Sequence, residues 1–193
     1  MIKDRDFFNK EVEEALGILR KGGIILYPTD TIWGLGCDAT NSDAVNKIYG
    51  IKKREGNKNL ILLMTDERQI LSYVPALDLA VFDFIKNQSR PTTIIFDSAI
   101  GLPDELTMDG TVAIRMIKDE FCRHLISRLQ KPIVSTSANV SGMPPPSAFF
   151  DIPDEIKAQV DHIVRWRQDD MEIGQPSQII KWLKNGAYTI IRP

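Results

Sequence analysis

Two spacings of apolar residues run through the chain, and they predict helices and strands in alternation. Between residues 7 and 21, apolar residues recur three or four positions apart, which indicates an amphipathic helix. The run at 24–27 is apolar without interruption, which is typical of a buried strand near the centre of a sheet. The same criteria predict further helices after a cap at Asn41-Ser42-Asp43 and at 66–73, 78–87, 120–129 and 153–160, and further strands at 60–64, 92–96, 111–116 and 132–135 and near 162–166, 178–182 and 188–192.

This alternation predicts the fold class. Strands and helices that follow each other throughout a chain favour an α/β or α+β fold with a sizeable mixed sheet and flanking helices. The sequence contains no internal repeat and no low-complexity tract. With 193 residues, the chain has the length of one domain, so we expect a single domain over 1–193.

Charge and composition narrow the possible partners. The chain has 26 acidic and 24 basic residues and a net charge of -2, so no overall field draws it to nucleic acid or membrane. Any site for anions must therefore be local. Cys37 and Cys122 match no metal-binding spacing, and free thiols in a reducing cytoplasm are the simplest interpretation. The sequence has neither a bilayer-spanning apolar run nor the apolar core of a signal peptide, which also predicts a cytoplasmic protein.

The stretch from Tyr27 to Gly36 is a candidate ligand loop. The apolar strand stops at Pro28 and continues into Thr29, Asp30 and Thr31, and glycines follow. Such a loop lets the backbone approach a ligand, but an ordinary turn after a strand has the same composition. The glycines imitate a dinucleotide fingerprint, yet they do not directly follow the strand, as that motif requires.

Two further groups favour the binding of an anion. Lys52, Arg54 and Lys58 are clustered, and Arg115 lies on the same strand face as the small Ala113. These cations suit phosphate and carboxylate groups, although a solvated basic turn is the alternative for the first three. The hydroxyls and amide of Ser135–Asn139 follow a strand end, where open α/β sheets place ligands, although this segment taken alone favours a polar turn.

Other chemistries find less support in the sequence. No phosphate-binding loop of the Gly-x-x-x-x-Gly-Lys-Ser/Thr type is present. His124 and His162 fall in a predicted helix and a predicted strand, which argues against a histidine-based triad or metal centre.

Taken together, these motifs resemble the YrdC-like family, whose best-described members are threonylcarbamoyl-AMP synthases. The resemblance rests on Tyr27-Pro-Thr-Asp-Thr-Ile-Trp-Gly-Leu-Gly-Cys-Asp-Ala39, on Ile51-Lys-Lys-Arg54 with Lys58, and on Ser135-Thr-Ser-Ala-Asn-Val-Ser-Gly142. It extends in order from about Gly22 to Arg192. Each motif is weak alone, but the combination is specific.

The resemblance implies a twisted, mixed and partly parallel sheet with a concave, positively charged cleft. It also implies a reaction of L-threonine, bicarbonate or CO2, and ATP that gives threonylcarbamoyl-AMP and pyrophosphate. The product serves the threonylcarbamoyl modification of adenosine 37 in tRNA. Longer family members have an extra C-terminal domain, whereas this chain resembles the short form, which works with separate tRNA-modifying partner proteins.

The resemblance further implies a set of site residues. Lys52 and Arg54 would be catalytic and bind ATP, with Mg²⁺ on the phosphates and no metal ligand assigned to the protein. Arg115, Thr29 and Thr31 would contact L-threonine. The remaining ATP contacts would be Lys58, Ser137, Asn139, Ser177 and Arg192.

Some segments depart from the family pattern. Gln88–Thr93 replaces the usual Trp-Pro-Gly-Pro-Leu-Thr, Met116–Asp119 replaces the usual Pro and His, and Trp33 stands where tyrosine is common. Two alternatives to the synthase stay open. One is a YrdC-like protein that binds tRNA or double-stranded RNA, and the other is a paralogue that handles another carbamoyl-adenylate.

Overall fold

A computed structural model of the protein describes residues 2–53, 60–107, 109–171, 174–183 and 186–193. Its helices are α1 Ile2–Arg20, α2 Ser42–Ile51, α3 Glu67–Tyr73, α4 Ala80–Lys86, α5 Glu120–Leu129 and α6 Asp154–Lys157, with 3-10 turns at Asp104–Leu106 and Phe149–Asp151. Its strands are β1 Ile25–Tyr27, β2 Gly34–Gly36, β3 Ile61–Met64, β4 Thr92–Asp97, β5 Thr111–Met116, β6 Ile133–Ser137, β7 His162–Ile163, β8 Gln178–Trp182 and β9 Tyr188–Arg192.

The strands join into one mixed sheet in the order β7-β1-β2-β6-β3-β5-β4-β8-β9. The pairs β1–β7, β3–β5 and β4–β8 are parallel, and the other neighbouring pairs are antiparallel. The predicted fold class, a mixed and partly parallel sheet with flanking helices, is therefore confirmed. Among the described residues, no helix is both long enough and apolar enough to cross a bilayer.

The two faces of the sheet are covered unequally. On one face, apolar residues of α2, α3 and α4 pack against Leu26, Leu62 and Ile114 in a large core. On the other face, α1 and α5 pack against Tyr27 and Leu63 in a smaller core. Helices α1 and α5 cover only part of this second face, and the remaining part forms the floor of a cavity.

Strand β2 was not predicted, because Gly34-Leu35-Gly36 is poor in the residues that favour strands. The structure supplies the reason for Gly36. A Cβ atom at this position would lie 2.6 Å from Cε1 of Tyr27 and 2.9 Å from the backbone oxygen of Val134, so a side chain does not fit between them.

The remaining predictions from the pattern hold with shifted boundaries. Strand β1 is buried along its whole length, as predicted, but it is not central: it is the second strand from one edge. The helix predicted at 153–160 spans only Asp154–Lys157, and the strand predicted near 162–166 spans only two residues. Asn41 caps α2 through its side chain, as the sequence predicts, and both cysteines are buried free thiols.

Candidate functional site

A cavity of about 690 Å³ lies on the partly covered face of the sheet. This volume is within the range of sites for small molecules and cofactors. The floor brings together side chains from β3, β5, β6, β8 and β9, and the segment 141–145 borders it. Six of the residues that the sequence predicts for the site line this cavity, namely Lys52, Arg115, Ser137, Asn139, Ser177 and Arg192.

Lys52 is buried at the end of α2, with 3% of its surface exposed. Its Nζ donates hydrogen bonds to the backbone oxygens of Ser137 (2.6 Å) and Asn139 (2.8 Å) and to Oδ1 of Asn139 (3.2 Å). An ammonium group has three N–H donors, and these contacts match all three. Lys52 therefore fastens the turn after β6 and at the same time places its charge at the cavity wall.

The turn after β6 is also bonded within itself. Ser137 Oγ donates to Oδ1 of Asn139, and Nδ2 of Asn139 donates to the backbone oxygen of Met143. The turn therefore reaches the cavity as a rigid unit, with its hydroxyl groups at the wall.

Arg115 projects from β5 into the cavity beside Ala113, as the strand pattern predicts. The side chain is 4% exposed, and its Nη2 lies 3.1 Å from Oδ1 of Asp30, whose side chain is 15% exposed. The contact is an ion pair and not a hydrogen bond, because Oδ1 of Asp30 and Nε of Arg115 both lack hydrogen-bond partners. Burial raises the pKa of Asp30, and Arg115 opposes that shift.

A second guanidinium lies near Arg115. Arg192 donates through Nε (3.0 Å) and Nη2 (2.7 Å) to the backbone oxygen of Ser177, and the Ser177 hydroxyl is hydrogen-bonded to the Thr93 hydroxyl (2.8 Å). Burial, followed by repulsion from Arg115 and Arg90, lowers the pKa of Arg192. The two neighbouring cations make this end of the cavity suitable for an anionic group.

Thr29 and Thr31 do not border the large cavity. Both are buried, their hydroxyls are 2.9 Å apart, and Thr29 Oγ1 donates to the backbone oxygen of Ile32. Together with Arg167 they line a separate space of about 20 Å³, and Ile32 borders both spaces. The two threonines therefore organise the loop from within.

Two predicted cations, Arg54 and Lys58, lie outside the described residues. Trp33 is 6% exposed and packs against Phe149 with ring centroids 4.9 Å apart, so it is a core residue. Sequence reasoning did not identify Asp30 or Thr93 as partners of site residues. The only available signal for both was their position beside a site motif.

One group of possible metal ligands lies away from the cavity, at Glu11, Glu14 and His162. The guanidinium of Arg165 binds Glu11 (2.6 Å) and Glu14 (2.9 Å), and its backbone N–H donates to the other oxygen of Glu11. Arg165 therefore already supplies a cation to both carboxylates. Among the described residues that line the cavity, Asp109 is the only carboxylate, so a magnesium ion there would be held chiefly by phosphate oxygens of its substrate.

Comparison with known proteins identifies the family. Residues 17–193 match the Sua5/YciO/YrdC family model, which carries the description "Telomere recombination". The chain belongs to this family. It is 35% identical over 181 residues to a protein of Idiomarina loihiensis named threonylcarbamoyl-AMP synthase, and the match covers 91% of this chain and 95% of the relative.

Solved structures of the family have the same fold. Sua5 of P. abyssi complexed with L-threonine is 25% identical, with a TM-score of 0.82 over 94% of this chain. The match spans 53% of the length of that protein, so this chain corresponds to about half of it. YciO of E. coli is 26% identical, with a TM-score of 0.80 over 94% of this chain and 87% of its own.

Proposed function

We propose that this chain is a threonylcarbamoyl-AMP synthase. It joins L-threonine, bicarbonate or CO2, and ATP into threonylcarbamoyl-adenylate and releases pyrophosphate. The product serves the threonylcarbamoyl modification of tRNA adenosine 37 in the cytoplasm, in cooperation with separate tRNA-modifying proteins. Membership of the family and the named relative support this proposal. The observation that carries it is a single cavity whose lining includes two buried cations, Lys52 and Arg115, from different elements of the fold.

One part of the wall is assigned to the phosphates of ATP. Lys52 supplies a buried positive charge, and the rigid turn that it holds presents Ser137 and Asn139. Arg54 and Lys58 follow closely in the sequence and complete this cationic region in the proposal. Lys52 and Arg54 are the proposed catalytic residues, because they would neutralise the charge that develops as pyrophosphate leaves.

The other part of the wall is assigned to L-threonine and the remaining contacts of ATP. Arg115 is the proposed partner of the threonine carboxylate, because its buried guanidinium donates no hydrogen bond to a described residue. Thr29 and Thr31 shape the same side of the site through the loop that they organise. Ser177 and Arg192 are the proposed additional contacts of the nucleotide.

The reaction needs positioning and charge neutralisation more than a strong protein base. The neutral amine of threonine attacks CO2 and loses a proton to bicarbonate or water, which gives an N-carboxylate. An oxygen of this carboxylate then attacks the α-phosphorus of ATP in line, the bond between the α-phosphorus and the β,γ-diphosphate breaks, and pyrophosphate leaves. Mg²⁺ on the phosphates would neutralise part of the departing charge. Lysine, arginine and hydroxyl groups suit this chemistry, and no histidine is among the described residues that line the cavity.

Pyrophosphate release tests the proposal directly. The protein is incubated with MgATP, bicarbonate and one amino acid at a time, and pyrophosphate is measured enzymatically. We expect release with L-threonine and no more than background with serine, valine or no amino acid. Release with another amino acid would identify a paralogue with a shifted substrate. Absence of release with every amino acid, together with salt-sensitive binding of tRNA, would favour the RNA-binding alternative.

A further inference from the structure

Asp30 is the only described charged side chain in contact with Arg115. The carboxylate lies behind the guanidinium, since Asp30 does not line the cavity whereas Arg115 does. Nε of Arg115 is buried and has no described hydrogen-bond partner. The ion pair with Asp30 is therefore the polar contact that fixes the direction of this guanidinium in the structure.

The loop that carries Asp30 is itself held firmly on both sides. Thr29 accepts a hydrogen bond from the backbone N–H of Thr31 at its Oγ1 (3.0 Å), and its backbone oxygen accepts one from Arg167 (3.3 Å). Arg167 also binds Asp119 at 3.0 Å. Asp30 therefore sits on a backbone that two hydrogen bonds immobilise, and a fixed carboxylate can in turn fix the guanidinium that it touches.

The surroundings of Asp30 disfavour its ionised form. Burial raises the pKa of Asp30, and the negative charge of Asp119 adds to the shift, even though Arg115 lies beside it. A buried charge that its surroundings disfavour is more typical of a functional site than of a stabilising contact.

We propose that Asp30 is a positioning residue for L-threonine binding, which orients Arg115 so that its free N–H groups meet the amino-acid carboxylate. This inference rests on the proposed function, specifically on Arg115 as the carboxylate ligand. The isosteric substitution Asp30→Asn tests it, because the side chain keeps its shape but loses the charge that orients Arg115. The same inference gives the Pro-Thr-Asp-Thr segment its purpose, since its threonines hold the loop and its aspartate acts on the substrate site.

The test compares steady-state kinetics of the wild-type protein with Asp30→Asn, Arg115→Gln and the double variant. We expect Asp30→Asn to raise the KM for L-threonine about 10- to 100-fold, the range seen when a binding group is displaced slightly. The KM for ATP should change by less than about twofold, because the phosphate contacts lie elsewhere. In the Arg115→Gln background, Asp30→Asn should have no further effect on the KM for L-threonine, since Asp30 acts through Arg115.

Asp38→Asn is the matched control. Asp38 is also a buried carboxylate in an ion pair, at 2.7 Å from Lys131, but it does not line the cavity. This variant should keep the wild-type KM for L-threonine. Thermal unfolding followed by circular dichroism confirms that each variant is folded, and if Asp30→Asn does not fold, Asp30→Glu replaces it with an expected intermediate KM.

The outcomes separate this inference from the proposed function. If wild-type protein releases no pyrophosphate with L-threonine, the proposed function fails before any variant is compared. If the wild type is active but Asp30→Asn keeps its KM for L-threonine, Asp30 is not a positioning residue. An equal effect of Asp30→Asn with and without Arg115, or an equal rise in the KM for ATP, would likewise overturn the inference.

Discussion

Replacement of Lys52 by methionine should destabilise the whole protein as well as weaken ATP binding. Methionine keeps most of the apolar stem but removes the donors that Lys52 gives to Ser137 and Asn139. The backbone oxygen of Asn139 would be left without a partner, which costs about 1–3 kcal/mol, whereas the backbone oxygen of Ser137 still accepts from the N–H of Asn139. Water from the adjoining cavity can replace part of this loss, so we expect the free energy of unfolding to fall by about 1–2 kcal/mol.

Lys53→Met provides the matched control for this prediction. Lys53 is the next residue, its side chain is 65% exposed, and its ion pair with Glu155 is 3.4 Å long on the surface. Loss of such a pair should change the free energy of unfolding by no more than about 0.5 kcal/mol. Urea denaturation followed by tryptophan fluorescence gives both values, and titration with an ATP analogue gives the affinities.

Equal stability of the two variants would contradict a structural role for Lys52. If Lys52→Met lost ATP affinity but unfolded with the same free energy as Lys53→Met, Lys52 would serve the phosphates alone and would not hold the turn after β6. If Lys52→Met lost both unfolding free energy and ATP affinity, and the two losses changed together with temperature, Lys52 would act mainly through Ser137 and Asn139.

Three further predictions concern stability and thiol reactivity. Gly36→Ala should lower the free energy of unfolding by about 1–3 kcal/mol, because the new Cβ would lie 2.9 Å from a backbone oxygen. At Gly50 a new Cβ would have no described atom within 4 Å outside its own helix, so Gly50→Ala should leave the free energy of unfolding unchanged or raise it. The pKa of Asp30 is raised in the folded state, so between the ordinary value of 3.8 and the higher folded value the folded state binds more protons than the unfolded state. This group should therefore lower the free energy of unfolding as the pH rises through that window. Asp30→Asn should remove this contribution. Because burial raises the pKa of both Cys37 and Cys122, a thiol reagent should label neither in the native protein and both in urea.

Each of these has a clear contrary result. Equal free energies of unfolding for Gly36→Ala and Gly50→Ala would mean that a Cβ at position 36 does not clash with its neighbours. An identical pH profile for the wild type and Asp30→Asn would contradict the raised pKa of this carboxyl. Rapid labelling of a native thiol would show that the corresponding core is open to reagent.

The sequence predicts those parts of the fold that depend on local pattern. Strands β4 and β5 are rich in β-branched residues and were predicted at nearly their observed bounds. Strand β2 contains two glycines, and its pairing depends on the ring of Tyr27 and on the distant strand β6, which no local pattern reveals. The hydrogen-bond partners of Lys52 lie 85 and 87 residues further along the chain, so no local pattern reveals them.

The site shows the same division. The family resemblance implied that Arg115 and Ser137 are site residues, and both line the cavity. Asp30 was interpreted as a possible turn residue, because the charge that it faces comes from β5, 85 positions away. Thr29 and Thr31 were predicted as walls of the amino-acid pocket, and that role stays a prediction, since in the structure their hydroxyls bond within the loop.

Strand β6 has a consequence for the order in which the chain folds. Among the described strands, it lies between β2 and β3 and is the one that joins the β7-β1-β2 part of the sheet to the part that begins with β3. Although β1, β2 and β3 are complete by Met64, they become parts of one sheet only after Ser137 has been synthesised. During translation the strand edges of the first half of the chain therefore stay unpaired until β6 is made. Closure of the sheet then depends on long-range strand pairing, which is slow.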